Sequence, residues 1–171
     1  MHFGTPCQSW SNLYQNMGPG IRTSTCWHGS GDLDVEILGN ITLGVTVLLM
    51  RGLYECGGSF SFEHPLCARS WSTPALRAIA GWQDVQLVRI DQCAYGLRPA
   101  VPKDTFYLKP TRLLLYGPNK FLPKRCPGDH AHTVVLGGSH DATGRPVKRS
   151  TEAGVYPAAL CRAIAKFHFC A

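Results

Sequence analysis

No apolar run in this 171-residue chain approaches the ~20 residues that span a bilayer. The longest, Ile41 to Met50, is broken by Thr42, Gly44 and Thr46 and stopped by Arg51-Gly52, so no membrane span is expected. The amino terminus lacks the basic start and apolar segment of a secretory leader. An intracellular, reducing setting is therefore expected, with the eight Cys as free thiols rather than a disulfide framework. No internal repeat or low-complexity tract divides the chain, and 171 residues with 44% apolar content can bury one respectable core but not two. Acidic residues are scarce, 11 against 17 Lys and Arg, for a formal charge of +6. The imbalance is local: residues 1–97 hold five Lys/Arg against seven Asp/Glu, while residues 98–171 hold twelve against four. A basic C-terminal region of that kind attracts phosphate backbones without reading their sequence, so DNA or RNA is the expected partner of residues 98–171.

What is abundant is turn chemistry. With 18 Gly and 12 Pro, the composition suits an α/β body whose loops carry the function and argues against a helical bundle or coiled coil. The first eleven residues read as the end of a strand followed by a loop. Residues 15–36, with Gly18-Pro19-Gly20 and Gly29-Ser30-Gly31, show no period and predict a flexible loop that can act as a lid. From Asn40, a residue suited to an N-cap, apolar positions 41, 45, 48, 49 and 53 follow helical spacing to Gly57-Gly58. Ser59 to Phe62 alternates as a strand, Thr73-Pro74 opens a helix, Asp84 to Asp91 and Arg112 to Tyr116 read as strands, and Ala158 to Lys166 as a closing helix. This alternation predicts an open α/β sheet over residues 1–117, with a loop-rich basic region at 118–171 packed on the same domain.

Two sets of residues stand out chemically. In the first, Phe3-Gly4-Thr5-Pro6-Cys7-Gln8-Ser9 places a cysteine in a small-residue turn, Phe62-Glu63-His64-Pro65 puts a carboxylate and an imidazole at a strand end, and Pro110-Thr111-Arg112 opens another strand. In such sheets ligands bind beyond the carboxyl ends of the strands. A helix N-terminus or basic neighbours there would favour the reactive thiolate of Cys7. The second set is Cys126, His130, His132 and His140, with Cys93 as a distant further member; thiolates and imidazoles together suit zinc.

The first set resembles, in order and approximate spacing, three motifs of the cytosine-C5 methyltransferases: the Pro-Cys-Gln nucleophile loop, the Glu-Asn-Val or Glu-Asn-Pro segment that holds the base, and an arginine-bearing strand. The chain departs from that pattern at His64, where the family has Asn, and at Leu114, where the family's Gln-x-Arg-x-Arg strand has a second Arg. Asp91-Gln92-Cys93-Ala94-Tyr95-Gly96, followed by Lys109-Pro110-Thr111-Arg112, also looks like divergent methyltransferase-like domains of mobile-element polyproteins.

The resemblance implies a partial, open Rossmann-like sheet with Cys7, Glu63 and Arg112 as its catalytic residues. Cys7 would add to C6 of a flipped-out cytosine and Glu63 would bond N3. The glycine-rich turn that binds S-adenosylmethionine belongs ahead of the nucleophile loop in that family, so the donor would have to come with a missing N-terminal segment or a partner chain. The function so implied is that of a truncated or split DNA cytosine-C5 methyltransferase, inactive alone. The alternative is a non-catalytic nucleic-acid-binding or structural remnant of a mobile-element polyprotein.

Overall fold

The computed structural model describes residues 1–23 and 25–169. Its centre is a four-stranded sheet in the order β1-β2-β5-β3, built from β1 (His2–Phe3), β2 (Phe60–Pro65), β3 (Gln86–Asp91) and β5 (Pro110–Tyr116). β1 runs parallel to β2, and β5 is antiparallel to both β2 and β3. Hence β1, β2 and β3 point the same way and end on one side. Outside the sheet, β4 (Phe106–Leu108) pairs in parallel with β6 (His132–Val134), and β7 (Gly138–His140) forms a hairpin with β8 (Pro146–Lys148). The fold is mixed α/β, with several small sheets and no closed barrel among the described residues.

Helices cover both faces of the central sheet. Side chains alternate across a strand, so Phe60, Phe62 and Leu114 face α2 (Asp34–Glu55) and α3 (Pro74–Ala80), where they meet Leu43, Met50, Leu76 and Ile79. Ile90, Leu113 and Leu115 face the other way onto Leu160, Ile164 and Phe167 of α5 (Ala158–Phe169). Two short helices, α1 (Asn12–Met17) and α4 (Arg149–Glu152), lie in the connections. Caps fall where the sequence places them for α3: Thr73 accepts from the Leu76 N–H and Pro74 opens the helix.

The second helix begins earlier than its apolar period predicts, at Asp34 instead of after Asn40. Asp34 and Glu36 occupy its first turn, where acidic groups offset the positive helix end. Its buried stripe is Glu36, Gly39, Leu43, Thr46 and Met50, and a carboxylate in that stripe conceals the period. Asn40 is inside the helix; it accepts from Arg22 and donates to the His28 carbonyl. By length and composition this 22-residue helix is long and apolar enough to cross a bilayer, which no uninterrupted apolar run announced.

Arg22 explains both the early start and the order of the preceding loop. Its side chain is fully buried, stacks on Trp10 at 3.7 Å and donates to the carbonyls of Ser9 (3.0 Å), Trp27 (2.6 Å) and Glu36 (2.8 Å). The Glu36 carboxylate, also fully buried, lies 3.8 Å from the guanidinium. A segment expected to be a free lid is instead pinned to the core through one cation. Gly39 permits the approach, because a Cβ there would collide with Ser9 Oγ.

Removing one partner of a buried ion pair strands the other's charge, which costs about 3–5 kcal/mol. Arg22→Met should therefore lower the urea-unfolding free energy by that order. The double variant Arg22→Met/Glu36→Leu should be more stable than Arg22→Met alone, because it removes the stranded carboxylate. Additive losses in the double variant would show that the two charges do not depend on one another.

Candidate functional site

The common end of β1, β2 and β3 carries the polar groups. Cys7 follows β1 at the start of a 3₁₀ turn, Gln8–Trp10, whose Trp10 N–H bonds the Cys7 carbonyl at 3.0 Å. Glu63 sits near the end of β2 on the face turned toward α5, buried to 5% exposure. Its two oxygens are held separately: Oε2 accepts from the Tyr156 hydroxyl at 2.8 Å and Oε1 from Gln92 Nε2 at 3.3 Å. Gln92 also donates to Thr111 Oγ1 at 3.0 Å. Lys109 closes the group, its Nζ bonded to the Ala153 carbonyl and 5.8 Å from the Tyr156 ring.

The structure brings Cys7 and Glu63 into electrostatic contact. Burial pushes the Cys7 thiol up, the Glu63 charge pushes it further, and Lys109 counteracts in part. The sequence led us to expect a thiolate favoured by its setting; in this state the thiol form is favoured instead. Tyr156 is driven well above the ordinary phenol range by burial and by Glu63, and so remains a hydrogen-bond donor.

Arg112 is not brought to this group. It pairs across the sheet with His64 and Arg89, so it projects from the face opposite to Glu63, where its guanidinium lies 5.5 Å from the Trp71 ring. His64 is wholly buried and fastens the Cys7 loop: Nε2 bonds Thr5 Oγ1 at 2.7 Å and Nδ1 bonds Ser70 Oγ at 2.6 Å. The resemblance did not indicate Gln92, Lys109 and Tyr156 as site residues. Gln92 and Lys109 lie in segments already singled out, whereas Tyr156, just ahead of Pro157, has no local signal.

A second group forms beside the end of β3. Cys93, Cys126, His130 and His132 place their ligand atoms within 4.8 Å of one another, an arrangement that can hold a metal ion. Cys126 Sγ is 3.6 Å from His130 Nε2 and 3.4 Å from His132 Nε2. Asp91 anchors the loop by accepting from the Cys126 N–H at 3.0 Å and from Arg125 Nε at 2.9 Å. His140 stands apart on β7, exposed and outside the cluster. Cys93, the distant member in sequence, is the one that completes the group. The seven cysteines among the described residues are free, and Cys170 lies outside them.

The residues present do not fit S-adenosylmethionine. Among them no strand, glycine-rich turn and helix follow one another as a donor cradle requires. Gly4, beyond β1, is backed by the Tyr156 hydroxyl, 2.6 Å from where a Cβ would stand.

Burial holds His64 down to about 4, from an ordinary 6.5. A group neutral in the folded state but protonated when unfolded contributes stability that is intact above pH 6.5 and lost as pH falls toward 4. For His64 the loss by pH 4 is about 3 kcal/mol. His2 and His168, which share Ser61, are also held near 4 and add to the loss. Urea midpoints measured from pH 7.5 to 4 should fall below 6.5, and His64→Gln should flatten the fall. Equal slopes for both proteins would show that His64 does not titrate on unfolding.

Compared with protein-family models, with curated proteins and with solved structures, the chain has no match in any of the three.

Proposed function

We propose that this chain is the catalytic half of a cytosine-C5-methyltransferase-like domain on a partial Rossmann-like sheet. In this reading it is an intracellular protein that engages DNA or RNA, and S-adenosylmethionine is bound by a part supplied from a preceding segment or a partner chain. The observation that carries the reading is that Cys7, in the loop after β1, feels the charge of Glu63, which stands in the second half of the adjacent, parallel β2. Zinc is the metal proposed for the Cys/His cluster.

The electrostatics of the pair suggest how it works. The charge on Glu63 opposes a second negative charge on Cys7, which keeps the resting thiol protonated. In the proposed reaction a proton shared between Glu63 and the base would remove that opposition, and Lys109 favours the Cys7 thiolate. A carboxyl group donating to N3 of cytosine while a thiolate attacks C6 has this distribution of charge. Gln92 and Tyr156 orient the carboxyl group, although Tyr156 must yield if the base is to reach Oε2. Arg112, on the far face, has no part in the chemistry at Cys7.

The chain alone would be inactive in methyl transfer, but the exchange half of the reaction needs no methyl donor. The thiolate adds to C6, C5 takes a deuteron from heavy water, a base removes the original C5 proton, and the thiolate leaves with its bonding pair returned to sulfur. The net change is one C5 hydrogen exchanged for deuterium. Oligonucleotides containing cytosine, incubated with the chain in heavy water, should gain deuterium at C5. Cys7→Ala should abolish the gain and Glu63→Gln should slow it about 10²-fold or more. No exchange, or exchange that persists in Cys7→Ala, would sink the catalytic reading.

Two observations favour the alternative of a binding or structural remnant: the thiol is pushed up, and Tyr156 already occupies one Glu63 oxygen. Both readings place nucleic acid on residues 98–171. Lys120, Lys124 and Lys148 are exposed there, and replacing all three by Glu should flatten the salt dependence of DNA or RNA binding, by roughly 0.9 in log-log slope for each duplex phosphate that is no longer neutralised. Fluorescence anisotropy that shows no binding at low salt would remove nucleic acid as a partner.

A further inference from the structure

The Cys7–Glu63 chemistry takes no reacting group from the Cys/His cluster, and that cluster joins the turn after β3 to the segment of residues 126–132. Cys93 lies in the 3₁₀ turn Gln92–Tyr95 that follows β3, and the turn ends on Gly96 in the left-handed region. Cys126 is fixed through its backbone, since its N–H is spent on Asp91. His132 is the first residue of β6, aligned with Phe106 by the pairing with β4. His130 packs its ring against Phe106 at 4.3 Å. Four ligating side chains set by different backbone constraints meet at one place.

The donor set and the distances define the ion. Two thiols and two imidazoles form a borderline-soft set that suits zinc in tetrahedral geometry. With bonds of about 2.3 Å to sulfur and about 2.0 Å to nitrogen, a tetrahedral ion holds S···N pairs roughly 3.5 Å apart. The Cys126 pairs measure 3.6 and 3.4 Å. Hydrogen bonding between thiol and imidazole would explain either pair alone, but it does not require Cys93 and a second imidazole to converge on the same point.

A further feature belongs to metal sites. His130 Nδ1 is bonded to Asp129 Oδ1 at 2.9 Å, so its N–H donates outward and Nε2 faces the cluster. An orienting carboxylate of this kind is the usual companion of a ligating histidine. A surface cleft of about 660 Å³, lined by Cys93, Lys124, Arg125, Asp129 and His130 among others, reaches the cluster and gives an ion its way in.

We propose that Cys93, Cys126, His130 and His132 form a closed, four-coordinate zinc site that fastens the segment carrying Cys126, His130 and His132 to the carboxyl end of β3. Four protein ligands fill a tetrahedron and leave no position for water or substrate, so the site is structural. His140 is excluded from it by its place on β7. The proposal holds whether or not Cys7 is active.

Metal analysis of the purified full chain should find one zinc per molecule. Content should fall to background in Cys126→Ser and His132→Ala but stay unchanged in His140→Ala. Cobalt in place of zinc should give the intense visible bands of a tetrahedral site together with sulfur charge transfer.

Ligand variants can fail to fold, so two measurements avoid them. Asp129 is 72% exposed, and Asp129→Asn should keep the fold while weakening zinc about 10–100-fold, as loss of an orienting carboxylate does. In the wild type, alkylation followed by peptide mapping should show Cys93 and Cys126 protected with zinc and labelled after chelation, while exposed Cys56 and Cys67 react in both states. Zinc absent from the wild type, a weak octahedral cobalt spectrum, or equal labelling of Cys93 and Cys126 with and without zinc would each overturn the site.

Discussion

A strand covered on both faces can keep a polar side chain only by finding it a partner, because an unpaired buried polar group costs about 1–3 kcal/mol. β2 is covered in this way from Phe60 to His64, and three of those five residues are polar. Ser61 Oγ meets His2 and His168, which joins the two ends of the described chain. Glu63 draws in Tyr156 from ahead of α5 and Gln92 from beyond β3. His64 takes Thr5 from the Cys7 loop and Ser70 from the turn before α3. Each polar group on this strand thus recruits a remote segment, and together they assemble the candidate site.

The same logic of pairing separates what the sequence disclosed from what it concealed. β3, β5, α3 and α5 carry local patterns of apolar residues or caps and stand close to where those patterns put them. The first turn of α2 was illegible because Glu36 takes a core position in that helix and is matched by Arg22, fourteen residues away along the chain. The three-residue strands Phe106–Leu108, His132–Val134, Gly138–His140 and Pro146–Lys148 have no periodicity to read. They exist because a neighbour supplies hydrogen bonds.

In the candidate site, Cys7 and Glu63 were singled out by their settings and the fold brings them into one group, and spacing alone gathered Cys126, His130 and His132. Nearness along the chain also drew in His140, which the β7–β8 hairpin carries away, and it undervalued Cys93, which β3 delivers from afar. Arg112 shows the limit of reading strands one at a time. Its face depends on the register with β2, and the pairing of His64 with Arg112 puts it opposite to Glu63.

The turn after β3 connects the two centres. Gln92 and Cys93 are neighbours in one short 3₁₀ turn, and both are buried. The first holds Glu63 Oε1 and the second completes the Cys/His cluster. A turn of four residues has few ways to move one side chain without moving the next. A zinc ion on Cys93 would therefore narrow the positions open to the Gln92 amide and, through it, the orientation of the Glu63 carboxyl group. Glu63 must take and release a proton at a fixed angle to a base if it is to serve Cys7, and such orientation is easily lost from a side chain with three rotatable bonds. A structural metal at the end of β3 would restrain it without touching the substrate.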